Sequence, residues 1–136
     1  MPTEIETLCD TIEDCYEFTL SYAARGLTID ADSDAGRQLR DKLMNALAAI
    51  RGLEEACRAI AEQLPAGQAE KFRAFISTLS RDAQSSSAVV DLVLAQPAVS
   101  SQLIDNLNAS IHLRALLTDL FLITEIVAAQ QVRAAS

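Results

Sequence analysis

The sequence predicts an all-α protein, an antiparallel up-down-up-down four-helix bundle whose single domain spans residues 1–136. Apolar residues recur every three or four positions over most of the chain, which places them on one face of a helix. Four Gly and three Pro are too few for a turn-rich β protein. Half of the residues are apolar but only 4% are aromatic, so we expect an aliphatic core.

The first helix is predicted from about Thr3 to Ala24. Thr3 and Glu6 have the spacing of a capping box, in which each side chain bonds to a free backbone N–H of the other residue. Gly26 follows as the stop signal.

The second helix has the most regular pattern in the chain. Its apolar positions follow one another in steps of four and three without a slip, which is typical of helices that pack side by side at shallow angles. These positions are Leu39, Leu43, Ala46, Ile50, Leu53, Cys57, Ile60 and Leu64. Ser33 or Asp34 can cap the start of this helix, and the sequence LPAG ends it near Leu64.

The third helix is predicted to start near Gly67. A kink or short break is expected near Ser85–Ser87, because three consecutive serines compete for backbone hydrogen bonds. Pro97 then suits the first turn of a fourth helix, which is expected to continue to about Val132.

The fourth helix carries two apolar stripes instead of one. The broader stripe is expected to face the bundle core and contains Leu113, Leu116, Leu117, Leu120, Phe121, Thr124 and Val127. The second stripe lies roughly opposite and contains Ile104, Ile111, Ala115, Leu122, Ile126 and Ala129. Because no helix of a four-helix bundle is central, the second stripe predicts an interface with another copy, in a homodimer or higher oligomer.

Four carboxylates lie along one side of the first helix. Glu6, Asp10, Glu13 and Glu17 recur at helical spacing and point away from its apolar side. A buried di-iron site is excluded, since it needs Glu-x-x-His pairs on two helices and the chain has one histidine. The strip is either a solvated face, partly paired with bases of the second helix, or a docking site for a partner with a basic surface.

The segment DADSDAGRQLRD resembles an incomplete calcium loop. Asp30, Asp32, Asp34 and Asp41 occupy positions 1, 3, 5 and 12 of the twelve-residue pattern, but Ala35 stands where the turn requires glycine. We interpret the segment mainly as a polar connection that caps the second helix. A ligand- or calcium-regulated sensor stays open as an alternative function.

His112 is the single histidine and raises the alternative of a phosphotransfer protein. The lysine and glycine that follow the histidine in that class are absent here, where the sequence is HLRALL. A histidine at the core boundary, bonded to Asp or Asn, fits better. No other catalytic motif is found, and no cofactor is expected.

Charge and cysteine content set the class of protein. A net charge of −8 argues against binding to nucleic acid or an anionic membrane. The N-terminal residues do not resemble a signal peptide, and Cys9, Cys15 and Cys57 are interpreted as reduced core residues. The sequence therefore predicts a non-enzymatic cytoplasmic interaction module: an adaptor, a regulator or a chaperone-like protein.

Overall fold

A computed structural model of the chain describes residues 3–25, 28–30 and 33–135. Within these residues it has five helices and two strands of three residues each: α1 (Glu4–Ala24), β1 (Thr28–Asp30), α2 (Asp34–Gln63), α3 (Ala66–Leu94), β2 (Ala98–Ser100), α4 (Ser101–Asn108) and α5 (Ile111–Ala135). The predicted all-α class is confirmed. The number of helices differs from the predicted four.

The starts of α1 and α2 are capped by the predicted residues Thr3 and Ser33. The capping box predicted for α1 is found only in part, because the Glu6 carboxylate accepts a hydrogen bond from the Thr3 hydroxyl, and no bond to it from the Thr3 backbone N–H is found among the described residues. The Thr3 hydroxyl accepts a hydrogen bond from the Glu6 backbone N–H at 3.3 Å. The Ser33 hydroxyl accepts one from the Gly36 N–H at 3.1 Å. Each bond satisfies an N–H that has no partner within its own helix. The predicted stop at Gly26 lies outside the described residues.

The core follows the regular pattern of α2. Seven of its eight predicted apolar positions are buried, and Ile60 is partly exposed. A residue every 3.5 positions keeps one stripe facing the neighbouring helices from Leu39 to Leu64. This helix packs against both α1 and α3.

The predicted fourth helix is in fact two helices, α4 and α5, with a turn at Ala109 and Ser110. The Ser110 hydroxyl accepts from the Leu113 N–H at 3.5 Å and so starts a new helix. The buried Asn108 side chain donates to the Thr19 carbonyl at 3.1 Å and holds the end of α4 against α1. Helix α3, by contrast, runs without a break through Ser85–Ser87.

A polar cluster joins the helix ends on one side of the molecule. Strands β1 and β2 pair antiparallel there, with Ile29 opposite Val99. The buried Tyr22 hydroxyl donates to the Val99 carbonyl at 2.9 Å. Arg40 donates to the carbonyl of Leu94, the last residue of α3, at 2.8 Å and to that of Gln96, just beyond α3, at 2.5 Å. These bonds connect α1, α2 and α3 to the start of α4.

Helix α5 lies at the edge of the fold, packed mainly against α3 and partly against α1. Helix α4 packs chiefly against α1. One side of α5 is thus covered by the chain, and the opposite side faces outward. Among the described helices none has the length and apolar content needed to span a bilayer.

Candidate functional site

The outward side of α5 carries most of the large apolar side chains that the protein exposes. Among the described residues eight such side chains are exposed, and five of them lie on α5: Ile111, Phe121, Leu122, Ile126 and Val132. We call these five residues, with Ala129, the outer face of α5. Grouped exposure of this kind marks an interaction surface more often than scattered apolar residues do.

The opposite side of the same helix belongs to the core. Leu116, Leu120 and Ile123 are fully buried, and Leu113, Leu117 and Val127 nearly so. Phe121 was predicted to face the core, but 58% of its surface is exposed. It lies about 100° around the helix from Leu120, which takes it off the buried side. Helix α5 is therefore apolar on two sides, as its sequence predicts.

The residues of the predicted interface divide into two groups. Ile111, Leu122 and Ile126 are exposed by 75, 51 and 40%, Ala129 is exposed, and Ala115 is partly buried. The prediction that Ile104 belongs to this stripe is wrong, because Ile104 is fully buried. The turn between α4 and α5 breaks the helical register on which that assignment depended.

Two opposite charges flank the outer face. Arg114 lies near the start of α5 and Glu125 lies eleven residues further on, so they project from almost the same side of the helix. Both are exposed. Within the described part of the chain, neither forms an ion pair.

An apolar groove lies at the C-terminal end of the outer face, between α3 and α5. Its volume is about 450 Å³. Phe72 and Phe75 of α3 line one side, and Ile126 and Ala129 of α5 line the other. Lys71 and Arg133 add two positive charges at the groove, in a protein whose net charge is −8.

The acidic strip of α1 lies beside the last turns of α5. Glu6 accepts a hydrogen bond from the Gln131 side chain at 2.8 Å. Glu6, Asp10 and Glu13 line a shallow cleft together with Gln131. Burial, together with the charges of Asp10 and Glu17, raises the pKa of Glu13. The cleft thus concentrates negative charge.

In the ion pairs among the described residues, the bases of α2 bind carboxylates outside the strip. Lys42 binds Asp14 instead, at 2.6 Å, and Arg51 binds Asp91 of α3 at 3.4 Å. Asp14 lies one position beyond Glu13, about 100° around α1, on the side that faces α2. Glu6, Asp10 and Glu13 of the strip face α5 instead, where the residues that line the cleft are uncharged.

The calcium-like segment is only partly described. Asp32 lies outside the described residues, and for Asp30 only the backbone is described. Asp34 is the first residue of α2 and forms an ion pair with Arg37. Asp41 is seven residues further along the same helix, about 10 Å away. Such a separation does not bring the two carboxylates to one ion, whereas the predicted capping role is filled by Ser33.

His112 is exposed in the first turn of α5. Its backbone carbonyl accepts a hydrogen bond from the buried Ser86 hydroxyl at 2.9 Å. Among the described residues its imidazole has no Asp or Asn partner, so the expected hydrogen bond is not found. Ser86 is fully buried, and this hydrogen bond satisfies its hydroxyl group inside the core.

Asp119 is a buried carboxylate that sequence reasoning did not find. It is only 6% exposed, and its Oδ2 atom has no hydrogen-bond partner among the described residues. Burial and the nearby carboxylate of Asp82 on α3 raise the pKa of Asp119 to about 7. Among the described carboxylates, Asp119 has the pKa that is raised furthest. The only sign of this burial in the sequence is that Asp119 stands among apolar residues on one side of the helix.

The three cysteines are core residues, as predicted. Cys9 and Cys57 are fully buried and Cys15 is 6% exposed. Burial raises the pKa of each thiol to about 12, so the reactive thiolate form is scarce at neutral pH. These thiols fill space in the core.

Comparison of the chain with protein-family models, with curated proteins and with solved structures finds no match in any of the three. Within residues 3–25, 28–30 and 33–135, no group of three or more His, Cys, Asp or Glu side chains is placed to hold a metal ion. The outer face of α5, with its groove, is therefore the strongest candidate site.

Proposed function

We propose that the protein is a non-enzymatic interaction module of the cytoplasm, an antiparallel helical bundle that self-associates through the outer face of α5. In this proposal the homodimer is the working form of an adaptor, a regulator or a chaperone-like protein. Buried, unreactive cysteines suit a reducing compartment.

One observation carries the proposal: the outer face of α5 groups five of the eight large apolar side chains exposed in the described structure. Moving such a side chain out of water contributes roughly 1.5 to 3 kcal/mol when its burial is complete. A two-fold interface uses each residue twice. The summed contribution of these partly exposed side chains from both copies is then comparable with the entropy cost of association, about 4 to 15 kcal/mol.

The test is the molar mass in solution of wild type and of a variant with Ile111→Glu and Leu122→Glu. Light scattering is expected to give about twice 14.7 kDa for the wild type. The variant is expected to be a helical monomer, because both side chains are exposed and do not support the core. Circular dichroism checks that it is folded.

Met44→Glu with Leu92→Glu is the matched control. These side chains are 58 and 65% exposed but lie on α2 and α3 and not on α5. The control is expected to stay a dimer. A monomeric wild type, or a control that dissociates as readily as the α5 variant, contradicts the proposal.

The acidic strip supplies a second, separate surface for a partner with a basic face. Glu6, Asp10 and Glu13 share one cleft, and no described ion pair neutralises them. A lysine-rich peptide is expected to bind there with an affinity that falls as salt is added. Asp10→Asn with Glu13→Gln should abolish that binding. Equal binding by wild type and variant contradicts this role.

A further inference from the structure

The outer face of α5 has a projection at one end and a recess at the other. Ile111 is the most exposed large apolar residue described, at 75%. The groove between α3 and α5 begins at Ile126 and Ala129, near the other end of the helix. Ile111 and Ala129 are 18 residues apart, or about 27 Å along the axis.

A projection and a recess on one face complement each other when two copies lie antiparallel. A two-fold axis level with Leu120, midway between Ile111 and Ala129, brings Ile111 of each copy over Ala129 of the other. The same axis repeats the contact, so both grooves are filled. A parallel arrangement places Ile111 against Ile111 and leaves both grooves empty.

The charges on the face fit the same arrangement. Arg114 and Glu125 lie almost symmetrically about the midpoint between Ile111 and Ala129. An antiparallel pair therefore brings Arg114 of each copy close to Glu125 of the other. A parallel pair places each charge level with the same charge of the other copy and brings no opposite charges together.

We propose that the second copy binds antiparallel along α5 and inserts its Ile111 into the groove formed by Phe72, Phe75, Ile126 and Ala129. This inference rests on the proposed homodimer and specifies its register. The two positive charges at the groove, Lys71 and Arg133, make a small amphipathic anion the competing occupant.

Disulfide trapping tests the register. Chains carrying Ile111→Cys and chains carrying Ala129→Cys are coexpressed with different tags and oxidised mildly. A disulfide between positions 111 and 129 of different chains is expected, because facing residues meet the distance requirement of such a bond. The three native cysteines are buried and do not compete. Met44→Cys coexpressed with Ala129→Cys is the exposed control and should not crosslink.

Charge reversal gives a second measurement that does not change Ile111. Arg114→Glu is expected to weaken dimerisation about 5- to 10-fold, because two attractive pairs become repulsive. Adding Glu125→Arg to the same chain restores the attraction between copies and should recover most of the loss. A parallel dimer is not rescued in this way.

The outcomes separate the register from the dimer itself. A wild-type monomer by light scattering overturns both. A dimer that forms a 111–111 disulfide, or that forms no 111–129 disulfide and is not rescued by the double charge reversal, overturns the register alone. The register is also overturned by a pair of results: native mass spectrometry detects a small anion bound to the protein, and Phe75→Glu leaves the dimer intact.

Discussion

Asp119 shows how one buried group links pH to stability. Its pKa in the folded protein is about 7, against an ordinary value of 3.8, because burial and Asp82 disfavour its charged form. The folded state therefore holds a proton that the unfolded state releases between these two pH values. Stability from this group is complete below about pH 4 and is lost as the pH rises through 7.

We expect the free energy of unfolding to fall by about 2 kcal/mol between pH 5 and pH 8, measured by urea denaturation. Asp119→Asn is neutral at every pH and should show a much flatter profile. Asp82→Asn should flatten the profile in part, since it removes the neighbouring charge but not the burial. Parallel pH profiles for wild type and Asp119→Asn would contradict the assignment.

Arg40 has a structural role that its sequence position does not reveal. Its guanidinium donates to the carbonyl of Leu94, which the end of α3 leaves without a helical partner, and to that of Gln96 in the connection that follows. Arg40→Ala should lower the free energy of unfolding by about 1 to 3 kcal/mol. Arg51→Ala is the control, because its ion pair with Asp91 is exposed and contributes about 1 kcal/mol or less. Equal losses in thermal melts would show that Arg40 does not cap α3.

At the scale of helices, the reliability of sequence reasoning depended on how long each pattern continued. Helix α2 repeats its 4, 3 spacing without a slip from Leu39 to Leu64, so a single error in phase would have been visible. The turn between α4 and α5 has neither Gly nor Pro, and Ser110 was its main signal. Without that turn, Ile104 was counted on the wrong helix and its burial was missed.

The strand pair could not be predicted from local pattern. Each strand has three residues, and Ile29 and Val99 are 70 positions apart in the chain. Such short segments carry no measurable period. Their pairing depends on how α1, α2 and α3 place the segments that connect them. The Tyr22 hydrogen bond to Val99 depends on the same placement.

The buried stripe of α2 makes a direct prediction at this scale. Ile50 is 2% exposed in the middle of the helix. Ile50→Asp buries a charge without a partner, which costs several kcal/mol and is comparable with the stability of a small domain. The variant is expected to lose its cooperative thermal transition in circular dichroism. Met44→Asp, on the exposed side of the same helix, should melt close to wild type, and an Ile50→Asp variant that also does so would show that α2 is not central.

At the scale of the whole molecule, the two apolar sides of α5 were predictable because the helical period alone separates them. The groove was not, since it requires Phe72 and Phe75 of α3 to meet Ile126 and Ala129 of α5. Sequence reasoning thus found the face and could not find its shape. The positions of Arg114 and Glu125 suggest a role only when a second copy is considered, because the two residues can pair between copies.

Self-association makes thermal stability depend on protein concentration, because dilution favours the separated chains. For a dimer that unfolds as it dissociates, tenfold dilution should lower the Tm by about 3 °C for two chains of this length. The variant with Ile111→Glu and Leu122→Glu should show no such dependence, because it has no interface to lose. Calorimetry at three concentrations measures both proteins. A wild-type Tm that stays constant over a hundredfold range of protein concentration would mean that unfolding is not coupled to dissociation. If the wild type also had the mass of a monomer, the proposed interface on α5 would be contradicted.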